Sequence, residues 1–274
     1  MTYQTLITPA QLRTLADPLI LDCSFDLADT DAGQRAHAAG HIPGAHYLHL
    51  DRDLSGPRTA PDGSFRGRHP LPEREAFAAL LRRLGLTDGR QVVTYDLQGG
   101  PYAARAWWML RWLGHAEVAV LDGAWGGELS TAVPAASPSD WQPGAPLVGQ
   151  ITAGELVARL GRVRLIDARA PERFRGEVEP LDRAAGHIPG ASNRLFKLNL
   201  DTDGRFKPAA QLREEFAALQ APYPADQVVH QCGSGVTACH NLLAMTHAGL
   251  GGGLLYAGSW SEWSADPARP IATG

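Results

Sequence analysis

The chain of 274 residues predicts an α/β protein of two tandem domains, each a mostly parallel sheet with helices on both faces. Three observations carry that prediction. The two halves repeat one another, short apolar runs alternate with stretches of helical spacing, and each half has the ~130 residues of an ordinary domain. Ile7-Thr-Pro-Ala-Gln-Leu12 returns as Ile151-Thr-Ala-Gly-Glu-Leu156, and Leu19-Ile-Leu-Asp22 as Arg164-Leu-Ile-Asp167. Gly40-His-Ile-Pro-Gly-Ala45 returns as Gly186-His-Ile-Pro-Gly-Ala191, and Leu121-Asp-Gly-Ala-Trp125 as Tyr256-Ala-Gly-Ser-Trp260. Order is kept while spacing drifts, which marks a duplicated domain and not a solenoid.

Taken in order, 19–22, 91–95 and 118–121 read as buried strands in the first half, with helices over 73–84 and 103–113. The second half gives strands at 163–167, 227–231 and 253–256, with helices over 211–219 and 237–247. Residues 130–146 are rich in Pro and small residues and read as a linker between a first domain, 1–129, and a second, 147–274. In such sheets, ligands sit beyond the carboxyl ends of the strands, where loops enter helices.

Composition narrows the function classes. Hydrophobic residues make up 44% and charged residues 20%, an ordinary globular balance that excludes disorder. A net charge of −4 gives no electropositive footprint for nucleic acid, and no apolar run approaches the ~20 residues of a membrane span. The first residues lack the basic start and long apolar stretch of a secretory signal. Cys23, Cys232 and Cys239 are too few for a disulfide framework, so a cytoplasmic, reduced protein is expected. Only Lys197 and Lys207 of the 25 basic residues are lysines, and this bias lowers the information in any single arginine.

The most informative segment is Val228-Val-His-Gln-Cys-Gly-Ser-Gly-Val-Thr-Ala238. An apolar strand ends, Cys232 follows, Gly233 and Gly235 bracket Ser234, and a helix begins near Thr237. Glycines let backbone N–H groups turn inward, and a helix N-terminus behind them favours an anion at the centre. A cysteine there has its thiolate stabilised; the alternative is a buried structural cysteine. Cysteine phosphatases use a similar strand–Cys–loop–helix but need an Arg six residues after the nucleophile, where this chain has Ala238. Cys232, Cys239, His240 and His247 match no zinc-ligand spacing. The series His37, His41, His46, His49 is interrupted by Pro43 and Gly44, so it does not align as a metal site. No metal or organic cofactor is implied.

Together, the repeated Gly-His-Ile-Pro-Gly, the Asp before it, the Gly-Ala-Trp and Gly-Ser-Trp near the ends, and Cys232-Gly-Ser-Gly-Val-Thr-Ala238 resemble tandem-domain rhodanese-like sulfurtransferases across nearly the whole chain. The cysteine loop is similar to that of the 3-mercaptopyruvate sulfurtransferase subfamily. The resemblance implies ping-pong chemistry: Cys232 takes the sulfur of a donor as a persulfide and passes it to cyanide, a thiol or thioredoxin. It implies a cradle formed by Gly233, Ser234, Gly235, Val236 and Thr237. Asp96 stands at the cysteine's place in the first repeat, so one active site per chain is expected, with the first domain as wall and scaffold.

Further residues follow from the same resemblance. Arg173, in Pro171-Glu-Arg-Phe-Arg-Gly176, is similar to an Arg that binds the donor carboxylate; a solvated surface Arg is the alternative. Arg183 resembles a second carboxylate-binding Arg, although its loop is shorter and its register differs by one. Ser234 would work with His69 and Asp51 in proton transfer; an ordinary loop His and a turn Asp are the alternative. His41 and His187 are expected to hydrogen-bond Asp22 and Asp167, the aspartates ending the preceding strands. Cys239 would lie ~10 Å from Cys232 along a helix, too far for a direct disulfide. Trp107, Trp108 and Trp112 are expected in packing.

The expected function is thus sulfur transfer from 3-mercaptopyruvate through Cys232. The alternatives are thiosulfate:cyanide sulfurtransfer, or a persulfide relay with little turnover of its own. The partners are a small-molecule sulfur donor and a thiol or thioredoxin-like acceptor.

Overall fold

Parallel pairing of short apolar strands organises both halves of the chain. The computed structural model describes residues 2–274. One unit takes the chain up to Gly56 with Pro72–Leu147 and Thr202–Arg205; the other takes Pro57–Leu71, Val148–Asp201 and Phe206–Gly274. In the first, β1 (Leu6–Ile7), α1 (Pro9–Leu12), β2 (Leu19–Asp22), α2 (Ala32–Ala39) and β3 (Ala45–Tyr47) come in succession. They are followed by α3 (Arg74–Arg83), β4 (Val92–Tyr95), α4 (Pro101–Trp112) and β5 (Val118–Leu121). The sheet order is β1-β5-β4-β2-β3, every pairing parallel.

The second unit repeats the plan. Its elements are β6 (Gly149–Gln150), α5 (Ala153–Arg159), β7 (Arg164–Asp167), α6 (Pro171–Arg175) and β8 (Ala191–Asn193), then α7 (Ala209–Gln220), β9 (Val228–Gln231), α8 (Thr237–His247), β10 (Leu254–Leu255) and α9 (Ser259–Trp263). The order β6-β10-β9-β7-β8 is again all parallel. Every residue of β2, β4 and β9 is buried, as strands covered on both faces must be. Asp167 pairs with Gln231, so β7 and β9 end together and Cys232 emerges at the carboxyl edge of the sheet.

The sequence placed β2, β5 and α8 at their observed bounds and the other strands and helices within a few residues. Short elements went unread. α5, for example, starts at a capping box: the Thr152 side chain accepts from the Glu155 amide at 3.3 Å while the Glu155 carboxylate accepts from the Thr152 amide at 2.8 Å. Residues 130–146, expected as a linker, are held down on the first unit. Ser139 donates to Arg82 O at 3.0 Å, Gly144 to Leu113 O at 2.8 Å, and Trp141 is buried. Trp107 and Trp108 are fully buried and Trp112 nearly so. Among the described residues no helix is long and apolar enough to cross a membrane.

The histidines of the repeated motif have different partners from those expected. His41 Nδ1 lies 2.7 Å from His37 O, while Asp22 is held by His37 Nδ1 and the Tyr95 hydroxyl, each at 2.9 Å. His187 Nδ1 lies 2.8 Å from Phe174 O and its ring stacks on Phe174. Asp167 instead accepts from Arg169 Nε at 3.0 Å and Nη2 at 2.7 Å. Each motif histidine is committed through its main chain to an antiparallel bridge, with Ser130 or Ala272. A residue one turn earlier in α2, or two residues beyond β7, reaches the carboxylate in its stead.

Asp167 and Arg169 are both almost wholly buried, so the guanidinium is the counter-charge of an interior carboxylate. Arg169→Ala is expected to destabilise the second unit by about 3–5 kcal/mol, because it strands that charge. His187→Ala removes one hydrogen bond and should cost about 1 kcal/mol. Denaturant unfolding of both variants measures the difference; equal losses would return the aspartate to the histidine.

Candidate active site

Strand β9 ends at Gln231, and the backbone needs five residues to turn into α8. The first turn of α9 fastens the start of that loop. The Cys232 amide donates to Ser259 Oγ at 3.1 Å, the Cys232 carbonyl accepts from the Trp260 amide at 3.0 Å, and the Gly233 carbonyl accepts from the Ser261 amide at 2.9 Å. Cys232 is buried, and the Gly235 amide donates to its Sγ at 3.1 Å. Gly235 has φ +78°, and a Cβ there would lie 2.3 Å from Ala257 O, so only glycine fits. The amides of Ser234, Val236, Thr237 and Ala238 donate to no other described residue.

The first repeat shows what such amides accept. Asp96 follows β4 as Cys232 follows β9. Its Oδ1 accepts from the amides of Gln98 and Gly100, each at 2.8 Å, and its Oδ2 from those of Tyr102 and Ala103, each at 2.9 Å. Burial pushes this carboxyl upward from its ordinary range against the pull of the four amides. One loop carries its own anion; the other carries a sulfur and open donors.

Other groups gather around Cys232 from within the same unit. The segment Pro57–Leu71 belongs to the second unit although it precedes β4 in the chain. Gly67, at φ +98°, passes so close to α9 that a Cβ would lie 2.8 Å from Gly258 O, and the Arg68 amide donates to Ser261 Oγ at 2.8 Å. This packing delivers His69, whose Nδ1 stands 2.7 Å from Ser234 Oγ, both side chains buried. Asp51 lies in the first unit, in the turn after β3, and its amide donates to His49 Nδ1 at 3.1 Å.

Three arginines and three carboxylates lie beside the loop. Arg173, in α6, donates through Nη2 to Glu179 at 2.7 Å and Asp182 at 3.2 Å. Arg68 pairs through Nη1 with the other oxygen of Asp182. Arg169 joins Asp167 to Glu179. Burial pushes the Asp182 carboxyl upward, against the pull of Arg68. Two residues before Cys232, His230 is fully enclosed and its pKa falls to about 3, so it stays a neutral imidazole and adds no cation near the sulfur.

An ideal Cβ on Gly233 would lie 2.9 Å from Arg68 Nη2 and 3.4 Å from Arg173 Nη1, so both guanidiniums border the cysteine loop. Arg183 is exposed and donates to Ala265 O at 3.2 Å. Sequence reasoning missed Arg68. Its one signal was adjacency to His69, and the arginine-rich composition hid it.

Comparison with known proteins places these features in a family. The model of the rhodanese-like domain matches residues 8–127 and again 152–266. A Pseudomonas aeruginosa protein described as a probable 3-mercaptopyruvate sulfurtransferase is 49% identical, covering all of both chains. A Mycobacterium tuberculosis protein, provisionally named thiosulfate sulfurtransferase SseB, is 39% identical over 99% of this chain and 98% of its own. The solved structure of 3-mercaptopyruvate sulfurtransferase from Leishmania major superposes with a TM-score of 0.85 at 30% identity, over 98% of this chain and 76% of that one. The chain therefore belongs to the rhodanese-like family, with two copies of the domain in tandem.

Proposed function

We propose that this protein is a sulfurtransferase that moves a sulfane sulfur from 3-mercaptopyruvate to a thiophilic acceptor through a persulfide on Cys232. One observation carries the reading. The sulfur of Cys232 stands at the loop position where the first repeat places a carboxylate held by four amides, and the amides beside the sulfur are still open. A thiolate, and after transfer the outer sulfur of a persulfide, is an anion suited to those donors. Full-length relatives named as sulfurtransferases support the same assignment.

In the first half-reaction the Cys232 thiolate attacks the donor's sulfur. The sulfur–carbon bond breaks, and its electron pair leaves on the carbon as the enolate of pyruvate, which takes up a proton. In the second, an acceptor thiolate or cyanide attacks the outer sulfur and Cys232 departs as thiolate, restoring the enzyme. Ser234 and His69, hydrogen-bonded at 2.7 Å, form the path for the proton. Gly233, Gly235, Val236 and Thr237 complete the cradle, and Arg173 takes the donor carboxylate. The acceptor class is a thiol or a thioredoxin-like protein. Three free, buried cysteines fit a reducing compartment such as the cytoplasm.

The name of the M. tuberculosis relative speaks for thiosulfate. Charge argues the other way. Each of the three arginines beside the loop is already paired with a carboxylate, which leaves no surplus cation for a dianion. Steady-state assays with both donors decide: kcat/KM is expected to be higher for 3-mercaptopyruvate, and an equal or higher value for thiosulfate would reverse the donor assignment.

Two substitutions test the cysteine and its cradle. Cys232→Ser should abolish the gain of one sulfur atom seen by intact-protein mass spectrometry after donor treatment, whereas Cys239→Ser should retain it; the opposite pattern refutes the nucleophile. Gly235→Ala moves an amide donor and forces a backbone clash, so sulfur uptake should slow by about 100-fold. An unchanged rate would remove the Gly235 amide from the mechanism.

A further inference from the structure

We propose that a cavity of the second unit, bordered by Arg66, Tyr256 and Glu262, binds a small zwitterion, an α-amino acid the size of alanine, serine or cysteine. None of the residues 232–237 lines it, so the site is separate from the cysteine loop and does not depend on the reaction assigned to that loop.

The cavity lies at the carboxyl edge of β6 and β10 and has a volume of about 160 Å³. The segment that carries His69 forms one wall. Arg66, Pro70 and Leu71 line the cavity, while His69 turns to Ser234. Gly258 belongs to another wall and precedes Ser259, whose hydroxyl accepts from the Cys232 amide. A molecule in the cavity therefore rests one residue away from an anchor of the cysteine loop.

Three polar groups there are left without full partners. Tyr256 is 1% exposed, and its hydroxyl completes no hydrogen bond. Burial, and after it the Glu262 carboxylate, push this phenol well above its ordinary range. Glu262 is half-buried, and its carboxylate forms no ion pair with a described residue. Its Oε2 fills the space that a Cβ on residue 258 would need. Burial pushes the Glu262 carboxyl upward, and the pulls of Tyr256, Arg269 and Arg66 do not offset it. Arg269 is already committed, pairing with Asp266 at 3.3 Å and donating to Glu262 O at 2.9 Å. Arg66 is pinned by its amide, which donates to Arg58 O at 2.8 Å, but its guanidinium bonds no described residue. Enclosed polar groups of this kind cost stability until a partner arrives.

The pair of opposite charges selects the ligand class. A simple cation would be drawn by Glu262 and opposed by Arg66, and a simple anion the reverse. A molecule carrying both charges on one carbon meets both groups. Its carboxylate takes the Arg66 fork, its ammonium faces Glu262, and the Tyr256 hydroxyl accepts a further ammonium hydrogen. Leu71 and Ile151, both buried, offer apolar contact to a short side chain. Size sets the upper limit: a cavity of about 150 Å³ accommodates benzene, and alanine, serine and cysteine are comparable in bulk.

The test titrates L-alanine and L-serine, neither of which carries a thiol, into ¹⁵N-labelled full-length protein, well into the millimolar range. The amides of Ala257, Gly258 and Glu262 should shift together with one saturating curve. Acetate and methylammonium, which carry one charge each, should bind about tenfold more weakly or worse. Glu262→Gln and Arg66→Gln should each weaken L-alanine by about tenfold, the loss of one charged hydrogen bond, while peaks away from the cavity stay in place and report an intact fold.

No shift with either amino acid would overturn the site. So would an affinity for acetate or methylammonium equal to that for L-alanine, or an affinity that either variant leaves unchanged. Shifts confined to Gly233–Gly235 would assign the amino acid to the cysteine loop and refute the cavity. Because the readout involves no sulfur transfer, the site can fail while the proposed reaction stands, and the reverse.

Discussion

Backbone N–H groups that turn inward where a strand gives way to a helix need an acceptor, and both halves of this chain are built around that need. In the first repeat a tethered carboxylate, Asp96, takes four of them. The second repeat has the same strand, the same turn and the same helix, but Cys232 stands there and contributes one sulfur atom, reached by the Gly235 amide. Two outcomes of one duplication therefore differ in who supplies the anion. A carboxylate closes the first loop permanently. The second stays open to a charge that arrives and leaves, which is what a carrier of sulfur requires.

The surroundings of Cys232 serve that loop. Ser259, Trp260 and Ser261 fix its opening residues by side-chain and main-chain bonds, so the Cys232 and Gly233 carbonyls are spent, and the Gly235 amide reaches the sulfur. His230 stays neutral through burial, and Arg68, Arg173 and Arg169 are tied to Asp182, Glu179 and Asp167. The sulfur thus depends on oriented amides for its stabilisation more than on net charge. Directed dipoles lose less to solvent screening than exposed charges do. His69 and Arg68 arrive on a segment that precedes β4 in the chain yet packs in the second unit, held by Gly67 against Gly258 and by the Arg68 amide on Ser261.

Much of this was legible in the sequence, for identifiable reasons. Continuous apolar runs revealed β2 and β5, because strands covered on both faces are made mostly of apolar residues. The bounds of α8 followed from the glycines before Thr237 and the apolar spacing after it. The pairing of His69 with Ser234 was legible only through family resemblance, since 165 positions separate them. Partner choices within the repeated motif were not legible. Asp22 and Asp167 occupy equivalent places, yet a histidine and a tyrosine hold one and an arginine holds the other. Local sequence identifies a buried carboxylate but not which neighbour will reach it. Arg68 was invisible for a different reason: among so many arginines, nothing in its immediate sequence marks it as facing a glycine far along the chain.

Holding a transferred sulfur requires the open amides of the second loop, and amide proton shifts report on them directly. ¹⁵N–¹H correlation spectra would be recorded before and after stoichiometric sulfur loading, with mass spectrometry confirming the added atom on the protein. Hydrogen bonds to the new sulfur should move the amide protons of Ser234, Val236, Thr237 and Ala238 downfield, while those of Gln98, Gly100, Tyr102 and Ala103, already held by Asp96, stay in place. Loaded protein in which the Ser234–Ala238 amides do not move would contradict the claim that this loop exists to hold a transferred sulfur.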